Sequence, residues 1–86
     1  MNNVILLIPH YNNPSGLLRS IASVGANENI DVLIVDDGST SKPNEEEIKD
    51  VFKAKGTMTF LYLEINRGIE IALNKGLKWV LKNKYQ

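Results

Sequence analysis

Three short runs of apolar, largely β-branched or aromatic residues alternate with three segments of helical periodicity, and this alternation leaves few folds open. The first run is Val4-Ile5-Leu6-Leu7-Ile8, closed by Pro9. Unbroken apolar runs of this length read as strands buried on both faces, as in parallel sheets. The second extends from Ile30 to Val35, with Val32-Leu33-Ile34-Val35 at its centre. The third, Thr57 to Glu64, is rich in Thr, Phe, Tyr and Leu, which suit a pleated surface. A β-α-β-α-β-α order predicts a parallel sheet with helices on its faces, joined by right-handed crossovers.

The helical segments carry their own punctuation. Tyr11 to Gly16 is dense in turn residues. A helix is expected after it, with Leu18, Ile21, Ala22 and Gly25 on one face and Asn13 or Ser15 as its cap. Asn44 reads as the N-cap of the second helix, and Glu45-Glu46-Glu47 fall where the helix dipole favours negative charge. Ile48, Val51 and Phe52 would form its buried stripe, and Gly56 would end it in the left-handed conformation. In the last helix Ile69, Ala72, Leu73, Gly76, Leu77, Val80 and Leu81 keep helical spacing throughout. Glu70 lies near its start and Lys78, Lys82 and Lys84 near its end, as the dipole favours.

At 86 residues the chain has room for one small domain or a piece of a larger one. Lys plus Arg and Asp plus Glu both number 10, so the net charge is zero and no basic face for nucleic acid or an anionic membrane is expected. There is no cysteine, which excludes disulfides, thiolate metal sites and cysteine nucleophiles and suits a reducing cytoplasm. The first apolar run is too short to span a bilayer and lacks the flanks of a signal peptide.

Ligands in open parallel sheets bind beyond the carboxyl ends of the strands. Three segments are expected there: Pro9 to Ser15, Asp36 to Ser41 and Glu64 to Gly68. In Asp36-Asp37-Gly38-Ser39 two adjacent carboxylates leave a strand for a glycine turn. One could accept a base N–H or a ribose hydroxyl while Gly38 lets backbone approach a ligand; equally, the segment could be a solvated turn whose Asp side chains cap local amides. Tyr11 could stack on a base or pack over its own loop. His10 could act as a base or metal ligand, but reads more simply as an ordinary loop residue. Gly68, opening a helix, would free N–H groups for a phosphate, and Arg67 could pair with a diphosphate or merely be exposed. Asn74 would face the cleft or solvent. No P-loop, G-x-G-x-x-G, G-x-S-x-G or histidine pair occurs.

Three motifs stand in order: Ile8-Pro9-His10-Tyr11-Asn12, Val35-Asp36-Asp37-Gly38-Ser39, and Asn66-Arg67-Gly68 continuing through Ala72, Asn74, Gly76 and Leu77. Together they resemble the start of a GT-A-type glycosyltransferase of family 2, the large inverting group, over essentially the whole chain. The resemblance implies the Rossmann-like nucleotide-binding half of that fold, a three-layer βαβαβα arrangement. It implies a nucleoside-diphosphate sugar as donor, a saccharide or lipid-linked acceptor, and a role in cell-surface polysaccharide synthesis. By the same resemblance Tyr11 would lie against the base and Asp37 would hold its edge. Asp36 and Ser39 would support the turn, Pro9 would shape the pocket floor, and Gly68 and the following helix would lie near the diphosphate.

Two departures from the family pattern stand out. Many members carry Ala-Arg-Asn where this chain has Ala72-Leu73-Asn74, leaving Arg67 as the substitute phosphate-facing cation. The acidic D-x-D metal motif is expected on a fourth strand, beginning where residues 84–86 stand. Residues 1–86 are therefore expected to be an N-terminal portion, inactive alone. The divalent metal, Mg²⁺ or Mn²⁺, and the catalytic base would belong to a longer enzyme. The expected location is the cytoplasm or the cytoplasmic face of a membrane. An open sheet edge and an uncovered helix face would favour self-association. A nucleotide-binding module without chemistry is the alternative. A phospho-acceptor domain ranks below both, because the acidic pair follows the second strand and not the first.

Overall fold

The computed structural model describes residues 4–83. Lys84, and the 84–86 stretch where a fourth strand was expected, lie outside the described residues. Six elements follow in the expected order: β1 (Ile5–His10), α1 (Pro14–Ala22), β2 (Asp31–Asp37), α2 (Glu45–Val51), β3 (Met58–Leu63) and α3 (Ile69–Lys82). The strands form one parallel three-stranded sheet in the order β1-β2-β3.

Strand alternation sorts the core into two halves. Val32 and Ile34 of β2 point to the side where Leu17 and Ile21 of α1 and Ile48 of α2 pack. Leu33 and Val35 point to the other side, where Ala72 closes the contact and Trp79 and Val80 pack at its margin. The result is three layers, α1 and α2 on one face and α3 on the other. Every residue of β2 is buried, because it alone has both neighbours and both covers. The edge strand β1 is only half-buried, so the reading of its apolar run as doubly buried does not hold.

Pro9 does not end the first strand; β1 continues to His10 and Pro9 pairs in register with Val35. The Val4 carbonyl accepts from the Asp31 N–H, so the backbone polar groups of Leu6 and Ile8 face β2 and those of Ile5, Leu7 and Pro9 face the open edge. A proline costs no ladder bond there. β2 likewise runs on through Asp36 and Asp37, which the sequence reading assigned to a loop. The second helix stops at Val51 with Phe52 extended, and Gly56 does not cap it. Gly56 instead packs its α-carbon against the Ile30 carbonyl, where a Cβ would collide. In the first helix Asn13 is the cap, accepting from the Gly16 N–H, while Ala22 is exposed and Gly25 lies beyond the helix.

α3 lies across β2 and β1. Its small residues Ala72 and Gly76 are buried, and a Cβ on Gly76 would press on Leu7 and Val35. The expected apolar face is wider than its contact. Ile69, Leu73, Leu77 and Leu81 stay exposed, Leu81 at 65%. No helix among the described residues is long and apolar enough to cross a membrane.

Candidate functional site

The carboxyl ends of β1 and β2 are joined by a network that begins with a buried charge. Asp36 is 1% exposed. Its Oδ1 lies 2.7 Å from Nδ1 of His10, and its Oδ2 accepts the Ser39 N–H at 3.1 Å. Lys42 Nζ stands 3.8 Å from the same Oδ2. Burial alone would raise the Asp36 pKa. Hydrogen bonds from the Ser39 side chain, His10 and the Ser39 amide outweigh burial and hold it below the ordinary 3.8.

His10 is not the loop residue the sequence suggested. It is the last residue of β1 and is buried. The Asn13 N–H donates to its Nε2 at 3.1 Å, so that nitrogen must present a lone pair. The ring proton therefore sits on Nδ1 and is donated to Asp36. With both nitrogens engaged, a neutral His10 has none left for a substrate proton or a metal.

Asn12 completes the stitching. Its φ is 49°, in the left-handed region that Asn tolerates better than most residues. Its N–H donates to Ser39 Oγ at 2.9 Å, and its Oδ1 accepts from the Ser41 N–H at 2.8 Å and from Thr40 Oγ1 at 3.3 Å. The loop after β1 is thus tied to the loop after β2 by Asp36, Ser39, His10 and Asn12.

Asp37 performs a parallel task on the other side. Its Oδ1 accepts the Arg67 N–H at 3.1 Å; its Oδ2 accepts Asn66 Nδ2 at 2.8 Å and the Gly68 N–H at 3.0 Å. The carboxylate therefore sits at the N-terminus of α3, where the helix dipole favours it. The Gly68 amide, at the helix opening read from sequence as freeing N–H groups for a phosphate, is occupied, as is that of Arg67. Gly38 has φ 67°, and a Cβ there would strike the backbone of Ile65 and Asn66. The close approach that glycine permits is to the chain's own β3–α3 loop. Gly68 needs its glycine for a φ of 98°, with open space around it.

Between these loops lies a cleft of about 310 Å³, lined by Pro9, His10, Tyr11, Asp37, Asn66, Gly68, Ile69 and Ala72. Its size is at the lower end for small-molecule sites. Of the residues singled out from sequence, Pro9, Tyr11, Asp37 and Gly68 meet here. Tyr11 is 51% exposed. Asp36 and Ser39 lie buried beneath, as braces. Arg67 lines a separate groove with Tyr62, Leu63, Glu64, Ile65, Ile71 and Lys75, on the far side of the loop. Beside that groove, burial and a hydrogen bond to Glu45 push the Tyr62 phenol pKa upward. Asn74 is exposed on α3 and lines neither. Sequence reading missed the positioning parts of Asn12 and Asn66. A left-handed Asn is a recognisable turn signal; the Asn66 contact to Asp37 spans 29 positions and has no local signature.

Among the described residues no three His, Asp or Glu side chains converge. The Asp36 carboxylate faces His10 and Ser39, and Asp37 faces three N–H donors, so neither presents a set of free oxygens to a cation.

A parallel sheet of alternating strands and helices, with its cleft beyond the strand carboxyl ends, is a Rossmann-like α/β arrangement. The chain belongs to glycosyl transferase family 2, whose family model matches residues 5–83. No curated protein and no solved structure matches it. Family membership carries glycosyl transfer as the general activity.

Proposed function

We propose that the cleft between Tyr11, Asp37 and the start of α3 holds the nucleoside diphosphate of a sugar donor. The observation that carries this reading is the convergence of an exposed aromatic ring, an apolar floor and one carboxylate at the strand carboxyl ends. The base lies against Tyr11 and Pro9. A carboxylate offers about four acceptor positions, and three on Asp37 are engaged, so one remains for a base N–H or a ribose hydroxyl. The diphosphate takes the first-turn N–H groups of Ile69, Glu70 and Ile71, which have no intrahelical acceptor. Arg67 reaches it only by turning out of its own groove.

The enzyme in this reading passes the sugar to a saccharide or lipid-linked acceptor, in cell-surface polysaccharide synthesis at the cytoplasmic side of a membrane. A divalent metal, Mg²⁺ or Mn²⁺, offsets the diphosphate charge when bound and takes no ligands from Asp36 or Asp37. The catalytic base lies outside the described residues. Residues 1–86 act as the nucleotide-binding portion of a larger catalytic domain and do not turn over donor alone. The open edge of β1 and the exposed Leu73, Leu77 and Leu81 favour self-association of this chain.

One observation favours the second reading, a nucleotide-binding module without chemistry: both carboxylates are committed to internal hydrogen bonds. Calorimetric titration of the chain with uridine, thymidine and guanosine diphosphates tests the shared core. At least one should bind, and Tyr11→Ala should weaken it about 10-fold, in line with base–aromatic stacking of about 1–3 kcal/mol. Binding unaffected by Tyr11→Ala would reject the site. Donor turnover by the chain alone would reject both the non-catalytic alternative and the expectation of inactivity.

A further inference from the structure

The one buried imidazole lies beside the cleft and takes no part in the chemistry proposed for it, yet its two ring nitrogens hold opposite ends of the segment that carries Tyr11. His10 Nδ1–H is fixed to Asp36 in the central strand, and His10 Nε2 receives the Asn13 N–H three residues along. Between them Asn12 adopts its left-handed φ and is pinned to Ser39 Oγ. Tyr11 is thus the exposed apex of a bend closed at its base by a single side chain.

We propose that His10 is a positioning residue that presets the Tyr11 bend for the ligand. The proposal rests on the nucleotide reading of the cleft, since the ring is preset to meet a base. The position asks for a donor on one edge of a rigid side chain and an acceptor on the opposite edge. A neutral imidazole meets that demand; Asn and Gln carry both functions at one end of the side chain. A bend already ordered in the free protein avoids the ordering cost that a mobile loop meets on binding. His10 also satisfies the Asn13 amide just ahead of α1, where Asn13 Oδ1 caps the helix. A purely structural part would therefore appear as lost stability, and a positioning part as lost affinity in a protein that stays folded.

The test uses His10→Asn, which keeps a donor near Asp36 and loses the acceptor facing Asn13. Two readings are taken first without ligand. Ring nitrogen NMR shifts of the unaltered chain should show the Nδ1–H tautomer, and the Asn13 amide should be protected from exchange. In His10→Asn, ¹⁵N relaxation should show a loosened Tyr11–Asn13 bend with sheet amides unchanged. The Nε2–H tautomer, an unprotected Asn13 amide or an equally ordered bend in the variant would each overturn the proposal. The same pair is then titrated with the nucleoside diphosphate that binds best, and the variant is expected to bind about 10-fold more weakly. A loosened bend with unchanged affinity also overturns it. If the unaltered chain binds no nucleoside diphosphate, the nucleotide reading fails and with it the purpose assigned to the bend, while the ring and relaxation readings still decide whether His10 sets it. Should His10→Asn not fold, the tautomer and amide protection of the unaltered chain decide alone.

Discussion

Asp36 shows how a charge comes to lie inside a small sheet. A carboxylate at 1% exposure is tolerated only because His10 and the Ser39 amide meet its oxygens. Asp36→Asn should cost about 1.5–3 kcal/mol, the usual range for hydrogen bonds to a charged group, read from urea unfolding at pH 7. The pH dependence follows from the lowered pKa. A depressed folded-state pKa contributes stability that is present above the unfolded value and is lost as pH falls through the folded one. The stability gap between the unaltered chain and Asp36→Asn should therefore hold from pH 7 to about 4, the ordinary aspartate range, and shrink below it. A constant gap down to pH 2 would contradict the assignment. Gly38→Ala should be worse than its size suggests. It combines a left-handed backbone with a collision against Ile65 and Asn66, so a loss well above 1 kcal/mol is expected, with shifted amide resonances in the β3–α3 loop. The residue scale is also where sequence was least legible. Pro9, Tyr11, Asp37 and Gly68, singled out from sequence, line one cleft, and the turn support expected of Asp36 and Ser39 is present in the Ser39 amide on Asp36. The His10–Asp36 pair and the Arg67 and Gly68 amides on Asp37 bind the protein to itself across the fold. Those partners lie 26 to 31 positions apart, and local pattern carries no trace of them.

At the scale of elements the sequence was easier to read, because periodicity follows directly from which face a strand or helix buries. All six elements and their order were legible. The N-caps of α1 and α2, Asn13 and Asn44, were legible as well; other ends were not, and the reasons are specific. Pro9 and Asp36 look like strand breakers, yet one sits where no ladder bond is due and the other has buried partners. Gly56 looks like a helix cap but serves a close backbone contact with Ile30. The full apolar stripe of α3 was recognised, but only Ala72 and Gly76 of it are buried. That division makes a contrast. Ile34→Ala, in the doubly covered strand, should cost about 2–5 kcal/mol in urea unfolding. Leu77→Lys, at a position 51% exposed, should stay within about 0.5 kcal/mol and shift the sedimentation profile towards monomer. A stability loss in Leu77→Lys comparable to that of Ile34→Ala would mean the α3 stripe is covered.

Across the whole molecule, the two loop networks flank one opening. The His10–Asp36–Ser39 network fixes the wall bearing Tyr11, and the Asp37–Asn66–Gly68 network fixes the wall formed by α3. The residues of the three motifs thus form mostly the framework of a cleft, with Tyr11, Pro9 and one face of Asp37 lining it. Occupation of that cleft by a nucleoside diphosphate is read out at residue level by a ¹⁵N-resolved NMR titration of the chain with uridine, thymidine and guanosine diphosphates. Saturable shifts concentrated at Tyr11, Asp37 and Gly68 to Ile71 are expected for at least one of them. Shifts confined to the Arg67–Lys75 groove, or no saturable shift with any of the three, would contradict that occupation.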